Sequence, residues 1–232
     1  MSPVITSIAD AIATIPQGAV VGIAGAADLR RPLALVRELA RQGRTDVRLV
    51  GWADGREADL IGCEPLSVVL PQAFQAAALG VDFLPGPAAG GSATVVSPVS
   101  GETYDVIASV RPDVVLIHAD SADENGNVLL SDDPATWRND SDLVAAGVTV
   151  IASVEQLASG LAIAAAPRDR IADGVSAVVH TPFGSHPLAY PRRYPADGDA
   201  AVAPAADHWS YLDKVGIARL IYRSTAQPGD TQ

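Results

Sequence analysis

Five short apolar runs punctuate the chain: Ala19–Ala24, Val47–Trp52, Asp113–His118, Val148–Ala152 and Val175–Val179. Each is too short for a buried helix, and none alternates apolar with polar residues. Continuous apolar runs of this length suit strands covered on both faces, as in a parallel sheet. Segments of helical spacing lie between them. Ile8, Ala11, Ile12 and Ile15 recur at that spacing within Ser7–Ile15. Leu35, Val36, Leu39 and Ala40 do so in a helix opened by Pro32 and closed at Gln42 by Gly43. The alternation predicts an α/β fold: an open, mainly parallel sheet with helices on both faces.

The remaining segments fill in around this frame. Expected helices are a turn at Asp59–Gly62, then Gln72–Leu79, Ser141–Ala146, a helix starting over Val154–Ser159, and Ala205–Thr225. Expected strands are Ser67–Leu70, Val81–Leu84, an exposed Thr103–Ser109, and Asn127–Leu130. Pro85–Ser92 and Ala119–Asn127 read as loops, 182–204 as loop-rich, and 227–232 as frayed. A length of 232 residues fits one domain, 1–232, large enough to bury its own core.

Composition narrows the chemistry. Sixteen basic residues against 27 acidic ones give a net charge of −11, which argues against nucleic acid as the main ligand. No apolar run approaches the roughly 18 residues of a membrane span. The N-terminus lacks a signal-type pattern, so a soluble cytoplasmic protein is expected. The single cysteine, Cys63, excludes an internal disulfide and a CxxC site. His118, His180, His186 and His208 lack zinc-site spacing, so no metal is expected.

In parallel sheets ligands gather beyond the C-terminal ends of the strands. Three segments fall there. The first, Gly22–Pro32, joins small residues (Gly22, Gly25, Ala26) to a helix start and to Arg30 and Arg31, a setting for an anion or oxyanion. It lacks both the GxGxxG and the Walker patterns, and an ordinary strand–helix turn is the plain alternative. The second, His118–Asn127, holds Asp120, Asp123 and Glu124 before Asn125-Gly126, a hairpin signal. A turn joining two strands explains it without a ligand, and His118 reads as a hydrogen-bonded core histidine. The third, His180–Pro187, sets two histidines around Pro-Phe-Gly. A Ser185–His186 catalytic pair is disfavoured because no GxSxG elbow is present.

Together these segments resemble the alpha subunits of family I coenzyme A-transferases, nearest the glutaconate CoA-transferase alpha-subunit branch. The resemblance is carried by Ile15–Gly25, Arg30–Gly43, Arg111–Asp120 with Ala122–Val128, Val150–Glu155 and Ala177–Pro187, in the family's order. It implies an open α/β fold of the CoA-transferase (NagB/RpiA-like) type and a hetero-oligomer with a beta-type subunit. It implies a coenzyme A thioester as substrate, with no permanently bound cofactor. In the family a beta-subunit glutamate attacks the acyl-CoA thioester, passing through a mixed anhydride and a glutamyl-CoA thioester. Backbone N–H groups of small-residue loops support the oxyanion.

Carried onto this chain, Gly22 and Gly25 match the glycine loop after the first strand. Asn125, Gly126 and Asn127 match the Asp-x-x-Gly-Asn loop. Phe183, Gly184, His186 and Pro187 match the Pro-Phe/Tyr-Gly-Ala-His-Pro motif. The resemblance also implies a trimmed acyl pocket between about Glu64 and Ser97. Glu57, Glu102, Glu124 and Glu155 are scattered, and Glu124 is the weak candidate for a nucleophile of the chain's own. The alternatives are a subunit of a CoA-thioester hydrolase on the same scaffold, a catalytically decayed binding subunit, and a sugar-phosphate isomerase or sensor on a similar sheet.

Overall fold

A computed structural model describes residues 4–26, 28–52, 57–65, 67–86, 93–133, 137–198 and 207–217. The elements run β1 (Val4–Ile5), α1 (Ile8–Ala13), β2 (Val20–Ile23), α2 (Leu33–Arg41), β3 (Arg48–Gly51), α3 (Glu57–Ile61) and β4 (Ser67–Val68). They continue α4 (Pro71–Ala78), β5 (Phe83–Pro85), β6 (Ala93–Val96), β7 (Thr103–Ala108), β8 (Val114–Ala122) and β9 (Val128–Leu129). The last are α5 (Trp137–Ala146), β10 (Thr149–Leu157), α6 (Gly160–Ala164), β11 (Ile171–Ala172), β12 (Ala177–His180) and α7 (His208–Lys214).

The main sheet has the order β1-β12-β10-β8-β2-β3-β4, and every neighbouring pair on that path is parallel. A β9–β11 ribbon pairs antiparallel against the end of β8. From β2 the chain builds outward through β3 and β4, then crosses back to β8 and builds the other way. The switch point therefore lies between β2 and β8. β5, β7 and β6 form a separate antiparallel sheet.

Side chains alternate across the sheet and feed two cores. Val114, Leu116, Ile151, Val21 and Leu49 face α1, α2 and α3, meeting Ile12, Leu35, Leu39 and Ile61. Val115, Ile117, Val150, Ala152 and Val178 face α4 and α5, meeting Phe74, Ala77, Leu143 and Val144. The apolar runs are continuous because both of their faces are covered. The expected open, mainly parallel sheet with helices on both faces is thus the observed one.

Three expectations change. β8 continues to Ala122, through part of the segment expected as a loop, because β10 pairs with it up to Leu157↔Ala122. The helix expected to start at Val154 is the second half of β10. The helix starts later, at Gly160, with Ser159 Oγ accepting the N–H of Ala162 as its cap. Thr103–Ser109 is not wholly exposed, since Val106 and Ile107 are buried. The start of the helix expected at Ala205, and its end beyond 217, lie outside the described residues, as does 87–92 of the expected loop. No described helix is long and apolar enough to cross a membrane.

Candidate functional site

The stripe that carries Leu116 and Ile151 into the α2 core turns polar one step on. His118 follows on β8, and Ser153 and Glu155 follow on β10, with Ser153 directly opposite His118. β2 ends at Ile23, so this half of β8 lies beyond its neighbour, at the switch point. The uncovered end is roofed by the 181–194 segment that leaves β12.

The roof is bonded in place. Ala34 N–H donates to the Gly184 carbonyl at 2.8 Å, and Arg30 N–H donates to the Ala189 carbonyl at 3.0 Å. These bonds tie the turn after β2 and the start of α2 to the loop after β12. Gly184 is also pressed against His118: a Cβ there would stand 2.5 Å from the imidazole Cε1 and 2.9 Å from the Thr181 carbonyl. The Tyr190 ring meets His118 edge-on at 5.3 Å, and Phe183 stacks on Tyr194 at 4.7 Å.

Glu155 stands at the centre. His118 Nε2 is 2.6 Å from its Oε1, the Tyr194 hydroxyl donates to the same oxygen at 2.8 Å, and Phe183 N–H donates to Oε2 at 2.9 Å. Burial raises the pKa of this carboxyl, but the His118 bond and charge and the other two donors outweigh it and hold it below the usual value. His118 Nδ1 is 2.9 Å from Ser153 Oγ. The Tyr194 hydroxyl accepts Ser185 N–H at 3.1 Å.

Around His186 a second network joins the roof to α2 and α7. Its Nδ1 is 2.7 Å from the Tyr211 hydroxyl, and its carbonyl accepts Arg37 Nη1–H at 3.0 Å. The Arg37 guanidinium lies 3.9 Å above the Tyr211 ring. Burial lowers its pKa to about 10. His208 Nε2 lies 2.9 Å from the Pro182 carbonyl, a pure acceptor, so Nε2 carries the hydrogen and Nδ1 faces Arg37 with a lone pair.

The expected site residues separate into three roles. Gly22 packs rather than binds: a Cβ there would meet Leu143 Cδ1 at 2.9 Å and Pro112 Cγ at 3.0 Å. Gly25 has φ +90° and leaves 2.7 Å between a Cβ and the Leu29 carbonyl, so the turn beside Ala26 requires glycine. Its N–H is already given to Asp140 at 2.9 Å rather than held open for an oxyanion. Arg30 and Arg31, expected beside an anion, are 1% and 2% exposed. They pair with Asp140 and Glu57 inside the protein.

Asn125, Gly126 and Asn127 lie apart from the roof. Asp123 accepts the N–H groups of Asn125 and Asn127, both at 2.9 Å, and the Asn127 side chain at 2.7 Å, closing the turn between β8 and β9. That turn packs beside Gly160, and Asn127 lines a groove of about 350 Å³ with Ile163, Arg168 and Asp173. Phe183, Gly184 and His186 all sit in the roof. Glu124 is exposed at the turn tip.

The sequence reading missed Tyr190, Tyr194, Ser153 and Asp140, and it gave Glu155 no role. A signal for Glu155 existed in the two-residue spacing from Ile151 through Ser153, which continues a strand face. Among the described residues, no three His, Cys, Asp or Glu side chains gather as a metal would need.

Comparison with known proteins fits this geometry. The sequence profile named Coenzyme A transferase matches residues 66–177. The alpha-type chain of 3-oxoadipate CoA-transferase from Pseudomonas knackmussii is 32% identical over 149 residues, 59% of this chain and 49% of that protein. An uncharacterized Archaeoglobus fulgidus protein is 27% identical over 201 residues, 70% of this chain and 42% of that one. The chain thus spans just under half the length of these two relatives. Among solved structures, glutaconate coenzyme A-transferase from Acidaminococcus fermentans aligns with a TM-score of 0.79 at 24% identity, covering 94% of each chain. A variant of the decarboxylase AibA/AibB aligns with a TM-score of 0.72 at 26% identity, covering 97% of this chain and 98% of that one. The chain belongs to the coenzyme A transferase family. Within family I it is of the alpha-subunit type.

Proposed function

We propose that the chain is the alpha-type half of a heteromeric CoA-transferase that moves coenzyme A between an acyl-CoA and a carboxylic acid. The observation that carries this reading is the bonding of the post-β2 turn to the post-β12 loop at the switch point, where the family resemblance places the acyl site. The nucleophile is assigned to the partner because the chain's own glutamates are committed or misplaced. Glu155 is held by three groups, and Glu57 is buried against Arg31. Glu102 bonds the exposed Tyr104 hydroxyl at 2.7 Å. Glu124 tips a turn on the far side of β8.

In this reading the partner's glutamate carboxylate attacks the thioester carbonyl, releasing the CoA thiolate and leaving a mixed anhydride. The thiolate then attacks the glutamyl carbonyl, freeing the first acid and leaving a glutamyl-CoA thioester. The acceptor carboxylate reverses both steps. This chain's part is to shape the acyl pocket with its roof and to keep water from the anhydride. Arg30 and Arg31 fix the turn from inside, so charge for the CoA phosphates comes from the partner.

Co-expression with the beta-type chain encoded beside it tests the reading. A stable complex should transfer CoA from acetyl-CoA or succinyl-CoA to glutaconate or 3-oxoadipate. Absence of a complex, or a complex without acyl-CoA turnover, overturns it. The end-to-end match to the decarboxylase AibA/AibB favours a second reading, decarboxylation of an acyl-CoA on the same scaffold. CO₂ release without exchange of CoA between acids selects that reading.

A further inference from the structure

We propose that Glu155 is the positioning residue of this site, its carboxylate setting the shape of the 181–187 roof and, through it, the seat of the substrate. The inference rests on the CoA-transfer reading above. Phe183 has φ +58°, a left-handed conformation that a residue with a bulky side chain adopts only when it is held there. What holds it is its N–H bond to Glu155 Oε2 at 2.9 Å.

The other carboxylate oxygen reaches the same loop by a second route. Oε1 takes the Tyr194 hydroxyl at 2.8 Å, and that hydroxyl accepts Ser185 N–H at 3.1 Å. One carboxylate on a rigid central strand therefore fixes two loop amides, two residues apart. It also fixes both rings of the Phe183–Tyr194 stack, the half-buried pair at the mouth of the site. His118, seated on Ser153 across the β8–β10 ladder, braces the carboxylate from beneath at 2.6 Å. Glu155 is itself 8% exposed, so its influence on a ligand passes through the loop. A site built on strands and transmitted by short bonds is held more tightly than a loop alone can manage.

The test uses the assembled complex with acetyl-CoA and glutaconate, together with hydrogen–deuterium exchange over 181–187. Glu155→Ala should speed exchange of the Phe183 and Ser185 amides. It should also lower kcat by about 100-fold while KM moves by less than about threefold, as displacement of a pre-formed seat does. Glu155→Gln keeps the side-chain length and an oxygen for Phe183 N–H, and should restore kcat to within about tenfold. Should Glu155→Ala fail to fold, Tyr194→Phe cuts only the Ser185 arm, and a loss of about tenfold with faster Ser185 exchange is expected.

Wild-type kcat in Glu155→Ala or in Tyr194→Phe overturns the inference. So does a Glu155→Gln variant as slow as Glu155→Ala with unchanged exchange, which would give the carboxylate a chemical role instead. An inactive wild-type complex overturns the transferase reading and this inference with it. An active wild-type complex with indifferent variants overturns this inference alone.

Discussion

Asp140 on α5 accepts the Gly25 N–H at 2.9 Å and pairs with the Arg30 guanidinium, so one buried carboxylate fixes both ends of the turn that follows β2. The turn therefore reaches the assembled site already shaped. Replacing Asp140 with Ala leaves the buried guanidinium without this counter-charge and Gly25 N–H without its acceptor. A loss of about 3–5 kcal/mol is expected in urea unfolding, the range seen when one member of a buried ion pair is removed. Asp140→Asn keeps an acceptor for Gly25 and should fall between Ala and wild type.

Gly184→Ala brings a methyl carbon to 2.5 Å from an imidazole that Ser153 and Glu155 hold from both sides. The ring has nowhere to go. Overpacking of this kind costs about 1–3 kcal/mol, and a lowered melting temperature checks it. Gly22→Ala presses instead on side chains of Leu143 and Pro112, which can shift, so its loss should be smaller.

Acid should weaken the protein through His208. Burial, and then the charge of Arg37, push its pKa down to about 3. The unfolded chain takes up this proton near pH 6.5, while the folded protein refuses it. Stability from this group is therefore complete above about pH 6.5 and is lost at about 1.4 kcal/mol per pH unit as pH falls toward 3. His186, lowered chiefly by burial, adds in the same direction. Thermal melts of wild type and His208→Gln at pH 7.5 and pH 4.5 check this. The variant should start lower and lose less between the two.

Asp123 closes the β8–β9 turn with three accepted hydrogen bonds. Asp123→Ala should cost about 1–3 kcal/mol, the scale of leaving such donors unpaired. Exchange at the Asn125 and Asn127 amides should rise while the 181–187 amides keep their protection, because the turn lies apart from the roof.

The amino-acid sequence by itself determined the sheet. Runs such as Asp113–His118 and Val148–Ala152 stay apolar on both faces because both faces are covered, and that pattern is local and readable. The tight turn at Gly25 and the stop after Gln42 were legible for the same reason: a backbone conformation or a cap belongs to a few adjacent residues. The segment Val154–Ser159 was not legible. Its polar residues fit a helix as well as a strand until β8 lies beside it and takes up its hydrogen bonds. The sign of Arg30 and Arg31 was plain, but their partners are 110 and 26 positions away, so their burial was not. Glu155 stood as one glutamate among several. Only the tertiary structure brought His118 from β8, Phe183 from the β12 loop and Tyr194 beyond it onto that carboxylate, since hydrogen bonds between distant segments depend on where the sheet delivers them.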